Sequence, residues 1–490
     1  MYLGERMQRR ALLLTLSVGC SIFISTPSAA SAADLSQVSV ISSESVSVTN
    51  TPSLSKIYLN SFKPNATVFF RINLNNSAPI TIYDATSPLE MLAKASFQFS
   101  LKSGALLAKS AIGSPIKEYQ DANGKAIIQI FPTPADFPLI SLKGDTSLIA
   151  KSEILSTPVV QDGAYAIDSI GTGIRFFTKS PNNLIGFRKL TDSPITPGYG
   201  GQGVYAYLEQ YDLSVTATSP GAWRILDSNF STIQRIEKVQ TQFGSYYSEG
   251  HGMTVSPNGN PVVIVTATRK VDSSWLKRNY LLPILDCDIA EIHNGKAIAE
   301  FSFWNWAVKN KSIAQPLLDA MPLFNDPQDP KTSPIDTCHA NSMQYSEQNH
   351  EYLISLRSPS ILLILSQDLR TVRSIIKTNN SLQHFARFVS PTEISALGNY
   401  SLGKVSKFLD FTLVKGKWSL KETPFPVHVV YCGNTKKIDT THIWLGGGCG
   451  AYTPGVLGTI YRIKSGSMTE VGSVVMENFN YSYRADLIKS

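Results

Sequence analysis

Apolar and polar positions alternate with a period of two along most of this chain. The runs are short, rich in Val, Ile, Thr, Tyr and Phe, and separated by clusters of Gly, Asn, Asp and Ser. That alternation predicts half-buried strands, and a helical period is hard to find beyond the N-terminus. From about residue 33 to 140, segments such as VSVISSESVSV, ATVFFRINL and SFQFSLKSG predict short strands joined by polar turns, a small β-sandwich-like module. From 145 to 490 a looser repeat takes over, in which a strand enters an Asp- or Asn-containing turn and returns as a second strand. It recurs as YAIDSIGTGIRFF, WRILDSNFSTIQRI, LLPILDCDIAEIHNGKAIAEFSF, ILLILSQDLRTVRSII and GTIYRIKSGSMTEV. Hairpins repeating at intervals of roughly 40 to 60 residues are the signature of propeller blades. Alone, the repeat is also compatible with a parallel β-helix or a double sandwich. The stretch from Trp304 to Ile335, rich in Pro, Asp and Ala, breaks the rhythm and predicts a short helix and a long loop near the propeller mouth.

Residues 1–32 read differently. Arg6, Arg9 and Arg10 precede an apolar run from Ala11 to Ile24, too short to span a bilayer and the right length for the core of a signal peptide. Ala30-Ser31-Ala32 fits a small-residue cleavage site, so export to the periplasm or the medium is expected, with the mature chain beginning near Ala33. A lipoprotein signal centred on Cys20 fits less well, because that cysteine lies inside the apolar run. No later stretch is long and apolar enough for a membrane span.

The formal charge is +7, of which the leader supplies two, and no basic cluster marks a nucleic-acid footprint. Cys287, Cys338, Cys432 and Cys449 follow the leader. In an exported protein four cysteines permit disulfides in three pairings. Cys432–Cys449 is favoured because the two flank one short segment, with buried free thiols as the other reading. No spacing suggests a zinc site.

Three of the seven histidines sit in recognisable sequence contexts. His251 lies in EGHGMTVSPNGNPVVIV, ahead of a Pro257-Asn258-Gly259-Asn260 turn. His339 lies in DTCHANSMQY with Asn341 and Ser342, followed by Arg357 in LISLRS. His384 follows Gln383 in LQHFARFVSPTEI. The H-x-N-S-x-x-Y run, the I-S-x-R strand, the histidine before a P-N-G-N hairpin and the Q-H before a strand together resemble the arylsulfate sulfotransferases, in order and spacing over roughly residues 160 to 470. The resemblance implies an all-β fold, a six-bladed β-propeller with a smaller N-terminal β-domain, and a homodimer. It also implies that His384 carries the sulfuryl group transiently, that His251, His339 and Arg357 surround it, and that Asn341 helps to bind substrate. The partners it implies are a small phenolic sulfate donor and a phenol acceptor.

The chemistry fits those residue types. A sulfate monoester spreads one negative charge over three oxygens, and its transfer needs positioning and fixed positive charge. Arginine offers a permanently charged planar fork, neutral imidazole is a nucleophile near neutral pH, and a second imidazole can carry the leaving group's proton. No cofactor is required, and the absence of a phosphate-cradling Gly-Lys loop argues against a nucleotide donor. His293, His350 and His428 are read as turn or structural residues, and His442 as intermediate. The competing class is a non-catalytic propeller that binds ligands or partners. A sugar hydrolase or lyase would need paired carboxylates, for which Glu249 and Asp336 are the obvious candidates.

Overall fold

In the computed structural model the described residues fall into two parts. The first is the backbone of nine strands between residues 37 and 132. The second comprises residues 138, 140–170, 173–190, 205–211, 220–227, 230, 232–278, 280–321, 334–379, 381–399, 405–429, 431–448, 455–476 and 479–488. The expected signal peptide lies outside the described residues. The nine N-terminal strands form a three-stranded sheet and a six-stranded sheet.

The rest is a β-propeller. Five sheets are plain antiparallel arrays of four or five strands, built from residues 153–180, 184–236, 340–377, 384–424 and 434–476 with the terminal strands described below. A further sheet, over residues 238–302, departs from that form. Its strands Gly244–Val255, Pro261–Asp272, Leu281–His293 and Lys296–Ser302 make an antiparallel meander. Two short strands are added, Lys238–Thr241 and the parallel Ile335–Asp336. The ring is closed from both ends of the chain. Ile140–Gly144 is the outer strand of the sheet made by residues 434–476, so a boundary at 145 leaves one blade strand on the wrong side. Tyr481–Ile488 is the inner strand of the sheet begun by Glu153–Val160.

Each neighbouring pair of sheets shares one apolar cluster. Leu208, Trp223 and Ile225 meet Met253, Val263 and Val265 at one junction, and Leu362 and Ile364 meet Ile394, Leu409 and Phe411 at another. Blade strands buried on both faces therefore read as continuous apolar runs, such as the wholly buried Ile361–Ser366. Two helices, Phe303–Lys309 and Lys311–Asp319, stand where one was expected. Ser302 caps the first by accepting from the Asn305 N–H, and Phe303, Trp304, Leu317 and Leu318 pack into the largest of these cores.

Cys287 and Cys338 are joined in a disulfide, which settles those two residues against the free-thiol reading. Cys432 is also disulfide-bonded, and Cys449, its expected partner, lies outside the described residues.

Candidate functional site around three histidines

The inner strands of the propeller lose their regular pairing where the candidate residues sit. Register breaks fall between Ser248 and Met253, between Ala340 and Ser342, between His384 and Arg387, and between Ile185 and Arg188. A bulge re-aims side chains that a regular ladder would alternate. His339, Leu382 and Phe385 accordingly adopt left-handed backbone, which β-propensity alone does not foretell. Gly252 allows the His251 strand to pass close to its neighbour: a Cβ there would stand 2.6 Å from Ile264 Cδ1 and 3.2 Å from the Met343 nitrogen.

His251 and His339 come together, their ring centroids 5.0 Å apart and edge-to-face. His384 and Arg357 lie within electrostatic reach of His251, and His339 and Arg357 within reach of His384. Arg357 is also tied by its backbone N–H to the His339 carbonyl. Asn341 is wholly buried and donates to the Gln383 carbonyl at 2.6 Å, so at least one of its amide hydrogens holds the backbone before His384. Gln383 is equally structural. Its amide donates to the Leu356 and Ile361 carbonyls while its oxygen accepts from Thr378, which pins the His384 strand to the turn bearing Arg357. The Q-H pair is thus a structural anchor followed by a buried imidazole.

Each imidazole is set by the partner of its Nδ1. His384 Nδ1 faces the Leu382 carbonyl at 3.1 Å. A carbonyl can only accept, so Nδ1 carries the proton and Nε2 keeps a lone pair, with the Asn399 side chain also in hydrogen-bond contact with the ring. Burial, then Arg357, Arg484 and His339, holds this imidazole well below the usual histidine range, so it is neutral near pH 7. His251 Nδ1 contacts Glu249 Oε1 at 3.2 Å, and Thr266 donates to the other carboxyl oxygen. Burial pushes Glu249 well above the usual carboxylate range and His251 well below the histidine range. Burial thus drives each toward its neutral form, and in that state the Glu249 hydroxyl donates to Nδ1 and the His251 proton sits on Nε2. His339 Nδ1 meets Asp336 at 2.5 Å. Burial raises the Asp336 carboxyl, but hydrogen bonds from the His339 ring and backbone outweigh it and leave Asp336 ionised. The Arg357 guanidinium has no hydrogen-bond partner among the described residues. The site thus offers the neutral His384 ring, the His251 ring, the His339 ring bonded to an ionised Asp336, and one free cationic fork.

Sequence reasoning missed Tyr483 and Arg484. The Tyr483 ring packs edge-on to His251 at 5.9 Å, and Arg484 donates to the His251 and Asn341 carbonyls. The available signal was an arginine within the wholly buried run from Ser482 to Ala485. His293 and His350 sit at exposed turns, His428 is half-buried, and His442 pairs with Asp439 and Arg462 on its own blade's hairpin. A cavity of about 550 Å³ lined by His350, Asp368, Arg370 and Arg373 lies on the flank of the propeller, apart from the three histidines. Among the described residues no group of His, Cys, Asp and Glu is arranged to hold a metal ion, and no helix is long and apolar enough to cross a membrane.

No family model matches the sequence, and no curated protein does. Solved structures with the same general architecture include a protein of unknown function from Bacteroides caccae, with 8% identity and a TM-score of 0.40, covering 69% of this chain and 100% of that one. The periplasmic gluconolactonase PpgL of Pseudomonas aeruginosa has 9% identity and a TM-score of 0.36, with 68% and 82% covered. The C-terminal WD40 domain of Sif2 has 9% identity and a TM-score of 0.36, with 72% and 93% covered.

Proposed function

We propose that this protein is an exported arylsulfate sulfotransferase, moving a sulfuryl group from a phenolic sulfate ester to a phenol through sulfo-His384. One observation carries the reading: the His384 Nδ1–H is bonded to the Leu382 carbonyl, which leaves Nε2 as a neutral nucleophile beside the unclaimed Arg357 fork. In the first half-reaction Nε2 attacks sulfur as the sulfur–aryl oxygen bond breaks. The electron pair goes to the phenolate, which takes the proton of His339 Nε2. The Leu382 carbonyl then faces an imidazolium N–H, a stronger hydrogen bond than before. In the second half an acceptor phenol gives its proton to His339 and its oxygen attacks sulfur. The N–S bond breaks and its electrons return to His384. Arg357 and the His251 Nε2–H hold the sulfuryl oxygens throughout. The six-stranded sheet serves as the sixth blade in this reading, supported by its four-stranded meander and by the apolar clusters it shares with both neighbours.

The test is p-nitrophenyl sulfate with and without a phenol acceptor. Acceptor-dependent release of nitrophenol, abolished by His384→Ala, supports transfer. Full transfer by that variant refutes the nucleophile, and no release under any condition favours a non-catalytic anion-binding propeller.

A further inference from the structure

Beneath His251 lies a second cationic cluster that the proposed reaction does not use. The guanidiniums of Arg188 and Arg484 are both 3% exposed, and both donate to the same acceptor, the His251 carbonyl, at 3.1 and 2.9 Å. Two like charges are therefore held a few ångströms apart inside the protein. Arg387 adds a third, close enough to act on Arg188, and its guanidinium stacks on the Phe385 ring that Arg484 also approaches. One carboxylate, the half-buried Asp486, acts on both buried arginines. The backbone is shaped to admit the cluster, since Gly186 has φ of +65° and a Cβ there would stand 2.7 Å from Arg188 Nη2.

Three buried donors in this region, Arg188 Nη1, Arg484 Nε and the Tyr483 hydroxyl, have no acceptor among the described residues, and two buried acceptors, Asp486 Oδ1 and Asn341 Oδ1, likewise have no donor there. Tyr483 lies within electrostatic reach of both arginines, and burial keeps its phenol protonated. A buried donor left without an acceptor costs free energy, more so when charged. Paired like charges out of water cost more still.

We propose that Arg188, Arg484 and Tyr483 form a site for a small monovalent anion of the halide class, seated under the His251 backbone. Three donors suit a monatomic ion, whereas a sulfate or phosphate brings four oxygens. The desolvation cost of an ion rises with the square of its charge, which disfavours a divalent guest at this depth. The bound anion neutralises the like-charge pair, and its effect is on stability, independent of the sulfuryl-transfer reading.

The full chain is melted in sodium chloride and in sodium gluconate at equal ionic strength. A saturable rise in melting temperature with chloride is expected, reproduced by bromide and absent with gluconate. Arg188→Lys, which keeps the charge and loses the fork, is expected to weaken the apparent halide affinity roughly tenfold. Should that variant fail to fold, bromide-soaked crystals of the wild-type protein decide the matter, with an anomalous peak expected within hydrogen-bond distance of both arginines. Equal melting in the two salts and no such peak would overturn the proposal. So would a saturable response to sulfate alone.

Discussion

His251 and His339 each hang from a carboxylate through Nδ1, at 3.2 and 2.5 Å, and their rings touch, yet the two pairs are electrostatic opposites. Glu249 and His251 are 4% exposed and both are driven to their neutral forms. Asp336 and His339 keep 23% and 20% of their side-chain surface in solvent, and Asp336 stays ionised. Water and backbone hydrogen bonds decide the difference. Asp336 also accepts the His339 and Cys338 N–H groups, whereas Glu249 has a single hydroxyl besides its histidine. A carboxyl–histidine pair is thus driven toward neutrality in one place and keeps an ionised carboxylate in the other.

The largest expected effect comes from neutralising the charged pair. Asp336→Asn removes the carboxylate bonded to the His339 ring, and transfer should fall by about 10² to 10³, within the range for acid–base groups. Nitrogen-15 shifts of the His339 ring would check the cause independently: the Nδ1 signal should move in the variant as its charged partner is lost. Unchanged transfer would place proton movement elsewhere.

The charged pair is also held covalently. The disulfide from Cys287 to Cys338 closes 51 residues and ends beside His339. Chain entropy alone assigns such a loop roughly 4 kcal/mol. The double Cys287→Ala, Cys338→Ala variant should melt lower by an amount of that order. Its transfer should fall further than that of a control destabilised to the same degree far from the site.

The pH dependence of stability separates the pairs next. His251 and His384 have folded pKa values below their unfolded ones, so the stability they contribute is present above about pH 6.5 and lost as pH falls. On the alkaline side, burial pushes Asp288 up to about 8, and neither of its carboxyl oxygens has a partner among the described residues. Its contribution is present below the ordinary aspartate pKa and lost as pH rises toward 8. Asp288 and the similarly raised Glu249 oppose the histidines below about pH 6.5 and act without them above it. Urea titrations should therefore show stability falling above about pH 6.5, with each histidine contributing at most about 1.4 kcal/mol per pH unit on the acid side. Asp288→Asn should flatten the alkaline fall and steepen the rise on the acid side, where Asp288 opposes the histidines. If it does not, Asp288 is not the group that titrates.

Much of this architecture was legible in the chain. All five repeats noted in the sequence are hairpins, each the third and fourth strand counted outward from the axis, joined by a short turn. The equivalent hairpin Lys407–Val414 with Lys417–Pro424 passed unnoticed because polar residues alternate along its exposed outer strand. The inner pairings carry the bulges beside the histidines, and no period of two places those side chains. His251, His339 and His384 could be found by their sequence contexts. The roles of Glu249 and Asp336 could not, since a carboxyl's charge depends on burial that no local pattern encodes. Arg188 and Arg484 were hidden for a related reason: both meet on one carbonyl from positions nearly 300 residues apart.

The smallest expected effect is the sharpest test of the contrast. If Glu249 is a neutral acid donating to His251, then Glu249→Gln exchanges a hydroxyl donor for an amide donor of similar shape. The amide can still donate to Nδ1, and its oxygen can still accept from Thr266, so transfer should remain within about tenfold of wild type. Stability should gain slightly at alkaline pH, because the buried acid no longer has to stay protonated against the solvent. A loss as large as that of Asp336→Asn would mean that Glu249 carries charge, that His251 is an imidazolium, and that the two pairs differ in exposure but not in kind. The comparison therefore turns on one amide, measured in the same assay as its counterpart 87 residues away.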